Sequence, residues 1–299
     1  MSSQYQDRAI VLKTYKLYIG GQFPRTESGR TYQPLDPQGK ALGNVCLASK
    51  KDLRDAVVVA RAAQKSWAGK TAYNRGQILY RIAELMEGRR SQFIEELISQ
   101  GSSHSEATYE VNASIDRCIY YAGWCDKYQQ LYSTVNAVAS SHFNFSVTEP
   151  IGVVAVLSPS NSGLLGLISF IAPIIAGGNT CIILASESKP IAAISLAEVI
   201  HASDVPGAVV NILTGKHAEL GVPMAAHMDI NAMVVCDASS EMQSSIQAQA
   251  AAHIQRVHIY DSVAVLDVEG QSPYKILDFQ EVKTTWHPID TSISGGGKY

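Results

Sequence analysis

The stretch Leu157-Ser158-Pro159-Ser160-Asn161 sets a carboxamide and two hydroxyls on a prolyl turn between two apolar runs. The run before it, from Gly152, reads as a buried strand, and the run after it, Leu164 to Ala176, as a buried helix. In an open α/β sheet ligands bind at the carboxyl ends of the strands, so this turn stands where half of an active site would stand. A second chemical group, Cys236, closes another apolar run and is followed by Asp237. A carboxylate beside a thiol disfavours the thiolate, so Cys236 reads first as a small core residue and only second as a nucleophile. The other four cysteines form no CxxC pair, and the eight histidines form no HExxH motif or ligand-like cluster. No metal is expected.

The elements that would position these groups fall into two rhythms. From Ser49, a plausible helix cap with Asp52 three residues on, the chain carries helical spacing through Leu53, Val57, Ala60 and Trp67. Helices follow through Ile78–Met86, over Gln92–Ile98, and from about Glu106 to Tyr128 with Ile115, Ile119 and Ala122 inward; Cys118 and Cys125 share one face of the last. Tyr15 to Phe23 reads as a hairpin turning at Gly20-Gly21. Ser140 to Thr148 alternates as a half-exposed antiparallel strand, with Phe143 and Phe145 on one face and Asn144 and Ser146 on the other. After it, the apolar strands GVVAVL, TCIIL, AVVNIL, NAMVVC and RVHIY alternate with helices near 164–176, 190–202, 216–227 and 240–252. That order predicts an α/β protein with a doubly wound, Rossmann-like parallel sheet of about five strands.

Composition narrows the class. At 299 residues, 46% hydrophobic and 17% charged, the chain can bury a large core. A net charge of −3 without a basic block offers nothing to nucleic acid or an anionic membrane. The run to Gly178 is too short to span a bilayer, and the first residues lack a signal-peptide core; a cytoplasmic location is expected.

In this order of elements the chain resembles an aldehyde dehydrogenase from Tyr15 to about Ile259. LYIGGQF is similar to the family's opening hairpin, YYAGWCDKY to its last helix before the bridging strands, and EPIGVVAVLSPSN to the strand and turn carrying an oxyanion asparagine. IAPIIAGGNTCIILASE and VPGAVVNILTG are similar to the next two βα units. The resemblance implies an α/β fold whose Asn161 holds the oxyanion position and whose Ser158, Pro159, Glu187 and Gly215 lie along the cofactor cleft. Asn161 can equally cap the helix that follows it, since asparagine and serine are favoured caps.

The family's chemistry adds a cysteine thiolate to an aldehyde, passes hydride to a nicotinamide, and uses a glutamate to activate water. Here the glutamate position carries Tyr260, and a phenol of pKa near 10 is a poor base at neutral pH. No cysteine follows Cys236, so the nucleophile position is not filled in these 299 residues. The ribose lysine of a K-P-x-E motif falls on Leu184, while its glutamate survives as Glu187. Asp237 stands where a glycine normally lets backbone N–H groups meet pyrophosphate; a carboxylate a few Å from a phosphate costs about 1 kcal/mol in water-like surroundings and about 4 at an effective dielectric of 20. NAD or NADP binding is therefore expected to be weak or absent.

The C-terminal stretch Leu277 to Ile289 resembles the family's final strand, which pairs with a neighbouring subunit, with Phe279, Val282 and Trp286 as an imperfect apolar face. The expected division is a dinucleotide-binding-type domain over 1–130 and 150–268, a small antiparallel oligomerisation arm over 131–149 and 270–290, and a flexible tail over 291–299. An arm of this kind either pairs with another chain or folds back on its own domain. The pattern is similar to the non-catalytic second copy of two-copy aldehyde dehydrogenases. It implies a catalytically inactive structural or regulatory subunit that pairs with itself or a full-length aldehyde dehydrogenase. The alternatives are an NAD(P)-dependent aldehyde oxidoreductase, or a component completing a partner's site, and a small-molecule sensor using the old cleft.

Overall fold

The computed structural model describes residues 11–289; the expected tail over 291–299 lies outside them. Three short strands, Thr14–Tyr15 (β1), Thr31–Tyr32 (β2) and Asn44–Cys46 (β3), form a small sheet in the order β1-β3-β2. The expected hairpin turns at Gly20 and Gly21, whose φ values of 64° and 79° suit glycine. Ile19 and Gln22 bridge across it and Leu17 N donates to Pro24 O at 3.0 Å, while Tyr18 pairs on the outer side with Ile212.

Helices α1 (Lys50–Ala68), α2 (Ala72–Gly88), α3 (Arg90–Ser99), α4 (His104–Trp124) and α5 (Tyr128–Tyr132) follow. Ser49 caps α1 in a reciprocal capping box with Asp52. The long fourth helix is shorter than its sequence suggests, ending at Trp124. Its buried stripe runs through Val111, Ile115, Cys118 and Tyr121, which turns Ile119 outward at 43% exposure. Cys118 and Cys125 are both buried, as their seven-residue spacing implies.

The chain continues through β4 (Thr134–Asn136) and β5 (His142–Pro150) into five strands: β6 (Val153–Leu157), β7 (Thr180–Leu184), β8 (Val210–Leu213), β9 (Ala232–Cys236) and β10 (Arg256–Tyr260). They form one parallel sheet in the order β10-β9-β6-β7-β8. Between them lie α6 (Leu165–Ala176), α7 (Ile191–Ala202), α8 (His217–Ala225) and α9 (Ser240–Ala251). Because successive side chains leave opposite faces of a strand, the sheet divides the core in two. Val154, Val156, Cys181, Ile183 and Val234 join the cluster containing α4, α6 and α7 residues. Val153, Ala155, Leu157, Ile182 and Val235 join Leu53, Val57, Leu220 and Ile246 on the other face.

After β10 the chain crosses back over α6 as α10 (Ser262–Leu266), a 3-10 turn at Val268–Gly270, and α11 (Tyr274–Leu277), then enters β11 (Gln280–Pro288). Buried Arg117 of α4 pins this crossing: its guanidinium donates to Ser169 Oγ at 2.5 Å, Val265 O at 2.6 Å and Asp267 O at 2.7 Å. Phe279 is fully buried in the main core and precedes the strand, so it belongs to the body and not to the arm's apolar face. Its carbonyl accepts from Asn179 Nδ2 at 2.9 Å, while Asn179 Oδ1 accepts from Gly152 N at 2.8 Å. That one carboxamide joins the root of β11 to the amino edge of the large sheet.

The arm is a three-stranded antiparallel sheet in the order β11-β5-β4. Its polarity is the reverse of what an isolated half-buried strand favours. Asn144, Ser146 and Thr148 are buried, and Asn136 Nδ2 donates to Asn144 Oδ1 at 2.6 Å and to Ser146 Oγ at 2.9 Å. Phe143 remains 46% exposed, and on β11 Val282 and Trp286 are 68% and 57% exposed.

Candidate functional site

In this strand order the direction of winding reverses at β6, which has β7 on one side and β9 on the other. The crevice between the carboxyl ends of β6 and β9 is where a doubly wound sheet takes its ligand. The turn after β6 and the turn after β9 face each other across it. Asp237, at φ 54° in a conformation that aspartate and asparagine tolerate better than most side chains, accepts from Ser160 N at 2.8 Å and from Ser160 Oγ at 2.7 Å. Its other oxygen accepts from Ser262 Oγ. Partial burial pushes the Asp237 carboxyl up, but the hydrogen bonds from Ser262 and Ser160 outweigh it and hold the group below its usual range.

Ser160 is tied on its other side as well. Its carbonyl accepts from Ser186 Oγ at 2.6 Å and Ser188 Oγ at 2.7 Å, from the turn after β7. Ser158 is buried and donates its hydroxyl to Leu184 O at 2.9 Å. Pro159 packs on Gly166 so closely that a Cβ there would lie 2.9 Å from its Cδ. Glu187 Oε1 accepts from His217 N at 2.6 Å, the first N–H of α8. Gly215 lets the end of β8 approach Ala48, whose N–H donates to Thr214 O at 2.8 Å. The four positions expected along the cofactor cleft thus lie along the carboxyl edge, each engaged with the protein itself.

Asn161 is exposed and does not cap α6. That role falls to groups the sequence did not single out. Glu110 Oε1, from α4, accepts from Leu164 N at 2.8 Å and Leu165 N at 3.1 Å, and Ser162 Oγ accepts from Gly166 N at 2.8 Å. Among the described residues Asn161 makes no side-chain hydrogen bond. It lines a cavity of about 440 Å³ with Ser102, Tyr109, Glu110, Leu165 and Lys189. A wider groove of about 870 Å³ lies between α2 and α4, beside Asp204 and Pro206 ahead of β8, at the wrong end of the strands for this chemistry.

The two groups that the sequence offers here as nucleophile and base, Cys236 and Tyr260, are both held protonated. Burial pushes the Cys236 thiol up to about 12, and Asp237 adds to the shift. All five cysteines are free and buried. Tyr260 donates its hydroxyl to Asp278, and burial followed by the Asp278 charge raises it far above the ordinary phenol range. Among the described residues no group of three or more metal-ligating side chains comes together and no helix is long and apolar enough to cross a membrane.

The aldehyde dehydrogenase family profile matches residues 24–290. The chain belongs to the aldehyde dehydrogenase family. It is 31% identical over 277 residues to the cytosolic 10-formyltetrahydrofolate dehydrogenase of Xenopus tropicalis, covering 89% of this chain and 29% of that protein. Against the protein DhaS of Bacillus subtilis (strain 168) it is 30% identical, covering 90% of this chain and 53% of the relative. The NAD+ complex of an aldehyde dehydrogenase from Bacillus cereus superposes with a TM-score of 0.79 at 26% identity, over 83% of this chain and 51% of that one. HpcC from Thermus thermophilus gives 0.78 at 26%, over 83% and 48%. This aldehyde dehydrogenase homologue therefore spans less than a third of the first relative and about half of the solved structures.

The family's dinucleotide does not fit this edge. Anions bind a helix N-terminus or turn through free backbone N–H groups, and here the Ser160 N–H is held by Asp237 and the His217 N–H by Glu187. The Met242 methyl of α9 lies directly against Gly221 of α8.

Proposed function

We propose that this chain is a non-catalytic aldehyde dehydrogenase-like subunit that assembles through its three-stranded arm with itself or with a full-length aldehyde dehydrogenase. The observation that carries this reading is a contrast between the two ends of the molecule. At the carboxyl edge the donors a cofactor would need are consumed by Asp237 and Glu187. At the arm, β11 pairs on one side only among the described residues, and Val282 and Trp286 are exposed. A nine-residue strand with one free edge invites pairing with another chain. Five free, buried cysteines suit a reducing compartment, and we take the cytoplasm as the location.

The test is size-exclusion chromatography with light scattering, on the chain alone and after co-expression with a full-length aldehyde dehydrogenase. A mass above that of one chain in either case supports assembly, and a monomer in both sinks it. Calorimetric titration with NAD and NADP tests the other half: binding at micromolar cofactor overturns the non-catalytic reading.

A further inference from the structure

The outer edge of β11 is patterned for one particular partner strand. Ile151 N donates to Phe279 O at 3.2 Å and Ile289 N to Ser141 O at 3.0 Å, at the two ends of the β11–β5 pairing. Hydrogen bonding alternates along an antiparallel pair, so the odd-numbered residues of β11 turn their N–H and C=O groups toward β5. Val282, Thr284 and Trp286 therefore present theirs outward, at an edge that no other strand among the described residues covers. Thr284 is the midpoint of the nine-residue strand Gln280–Pro288. Its hydroxyl lies 2.8 Å from Ser146 Oγ, which accepts from Asn136 Nδ2 at 2.9 Å. A row of polar side chains thus crosses the arm and stops at the edge.

We propose that this edge takes the β11 strand of a second copy, antiparallel and centred on Thr284. The inference rests on the assembly reading above and narrows it to a homodimer of one register. A two-fold axis at Thr284 pairs all nine residues of the strand, whereas an axis at Val282 or Trp286 leaves 285–288 or 280–283 unpaired. It sets Val282 of each copy opposite Trp286 of the other, on one face of the sheet. Those two apolar side chains are 68% and 57% exposed in the single chain. Each hydrogen-bonded pair exchanges two main-chain bonds, so Val282, Thr284 and Trp286 supply about six. Thr284 meets its own copy, a favourable cross-strand pair, and carries the polar row across the axis. The charges agree with this register. Glu281 faces His287 of the second copy, and Lys283, its Nζ held by Glu149 Oε1 at 3.1 Å, faces Thr285 of the second copy. Moving the axis one residue, to Lys283, would set that ammonium against its own copy, a destabilising pair. The product is a six-stranded sheet in the order β4-β5-β11-β11-β5-β4.

The experiment uses the full chain, whose own five cysteines are all buried, with one new cysteine placed on the edge at a time. Thr284→Cys sits on the axis, where the Cα atoms of a hydrogen-bonded pair are about 5.5 Å apart, within disulfide reach. Val282→Cys lies four residues out of step with its own copy, about 14 Å away. Under mild copper-phenanthroline oxidation Thr284→Cys is therefore expected to form a covalent dimer at least about 10-fold faster than Val282→Cys at equal concentration. Val282→Cys mixed with Trp286→Cys should cross-link as a mixed pair. Light scattering on the unsubstituted chain should give twice the mass of one chain. A monomer, or a dimer in which Thr284→Cys links no faster than Val282→Cys, overturns this pairing. Assembly with a co-expressed full-length aldehyde dehydrogenase would then leave the broader reading standing, so the two fail separately.

Discussion

Ser160 and Asp237 hold each other across the switch point of the sheet, the serine donating both its backbone N–H and its hydroxyl to one carboxylate oxygen at 2.8 Å and 2.7 Å. A carboxylate that accepts charge-assisted bonds from three groups is itself the anion of the site, so the crevice is already occupied by the chain's own negative charge.

Asp237→Asn tests that latch. Asparagine tolerates the positive φ, so the loss is that of charge and of part of the hydrogen bonding. Because the residue is largely exposed, solvent screens the loss to about 1 kcal/mol at pH 7. The folded carboxyl lies below its ordinary value. Its contribution is thus present above the unfolded value and is lost as pH falls through the folded one. Urea titrations at pH 7 and pH 3 should show the wild type's advantage at the former shrinking at the latter.

Lys275 carries the opposite sign. Its folded value of about 8 lies below the ordinary 10.5, so the unfolded chain holds the extra proton between those limits. Stability should rise with pH across that window, with the full penalty in force below pH 8. Lys275→Met is expected to stabilise the protein by up to about 3 kcal/mol at pH 7. The gain should fade to nothing by about pH 10.5, as read from denaturant midpoints at pH 7, 9 and 10.5.

Arg117→Met removes three hydrogen bonds and strands two carbonyls of the crossing segment, Val265 O and Asp267 O. A loss of about 2–4 kcal/mol is expected. Amide exchange should speed up over residues 262–270 before it does in β6 or β7. Uniform protection across that segment would contradict the pinning role.

Trp286→Glu separates assembly from folding. The side chain is exposed in the isolated chain, so its replacement should change monomer stability by less than about 0.5 kcal/mol. If the arm docks another chain, the same change should shift the light-scattering mass toward a single chain.

Thiol reactivity offers a further check. Burial pushes Cys118, Cys125 and Cys236 up to about 12. Ellman's reagent at pH 8 should leave these three unreacted in the native protein and titrate them within minutes in urea. A fast native reaction mapped to Cys236 would reopen the nucleophile reading.

The parallel sheet was legible because each strand is a continuous apolar run bounded by helical spacing, a pattern that only two-sided burial produces. The Ser49–Asp52 capping box was legible because it is local. The cap of α6 was not: Glu110 lies more than fifty residues away and no short-range signal links it to Leu164. Nor was the orientation of β5, since period-two alternation gives two faces without saying which one the protein covers. In the sequence Asp237 reads as an obstacle to phosphate. That it also ties down the turn after β6 follows from strand order, which only the folded chain supplies.

The carboxamide of Asn179 places the root of β11 at the amino edge of the sheet, a full strand length from Ser160 and Asp237. In the proposed assembly, docking at the arm and the cavity beside Asn161 fall at opposite ends of the sheet. A companion chain gripping the arm would load the starts of β6 and β7 and leave the far pole, with Asn161 and its cavity, facing open solvent.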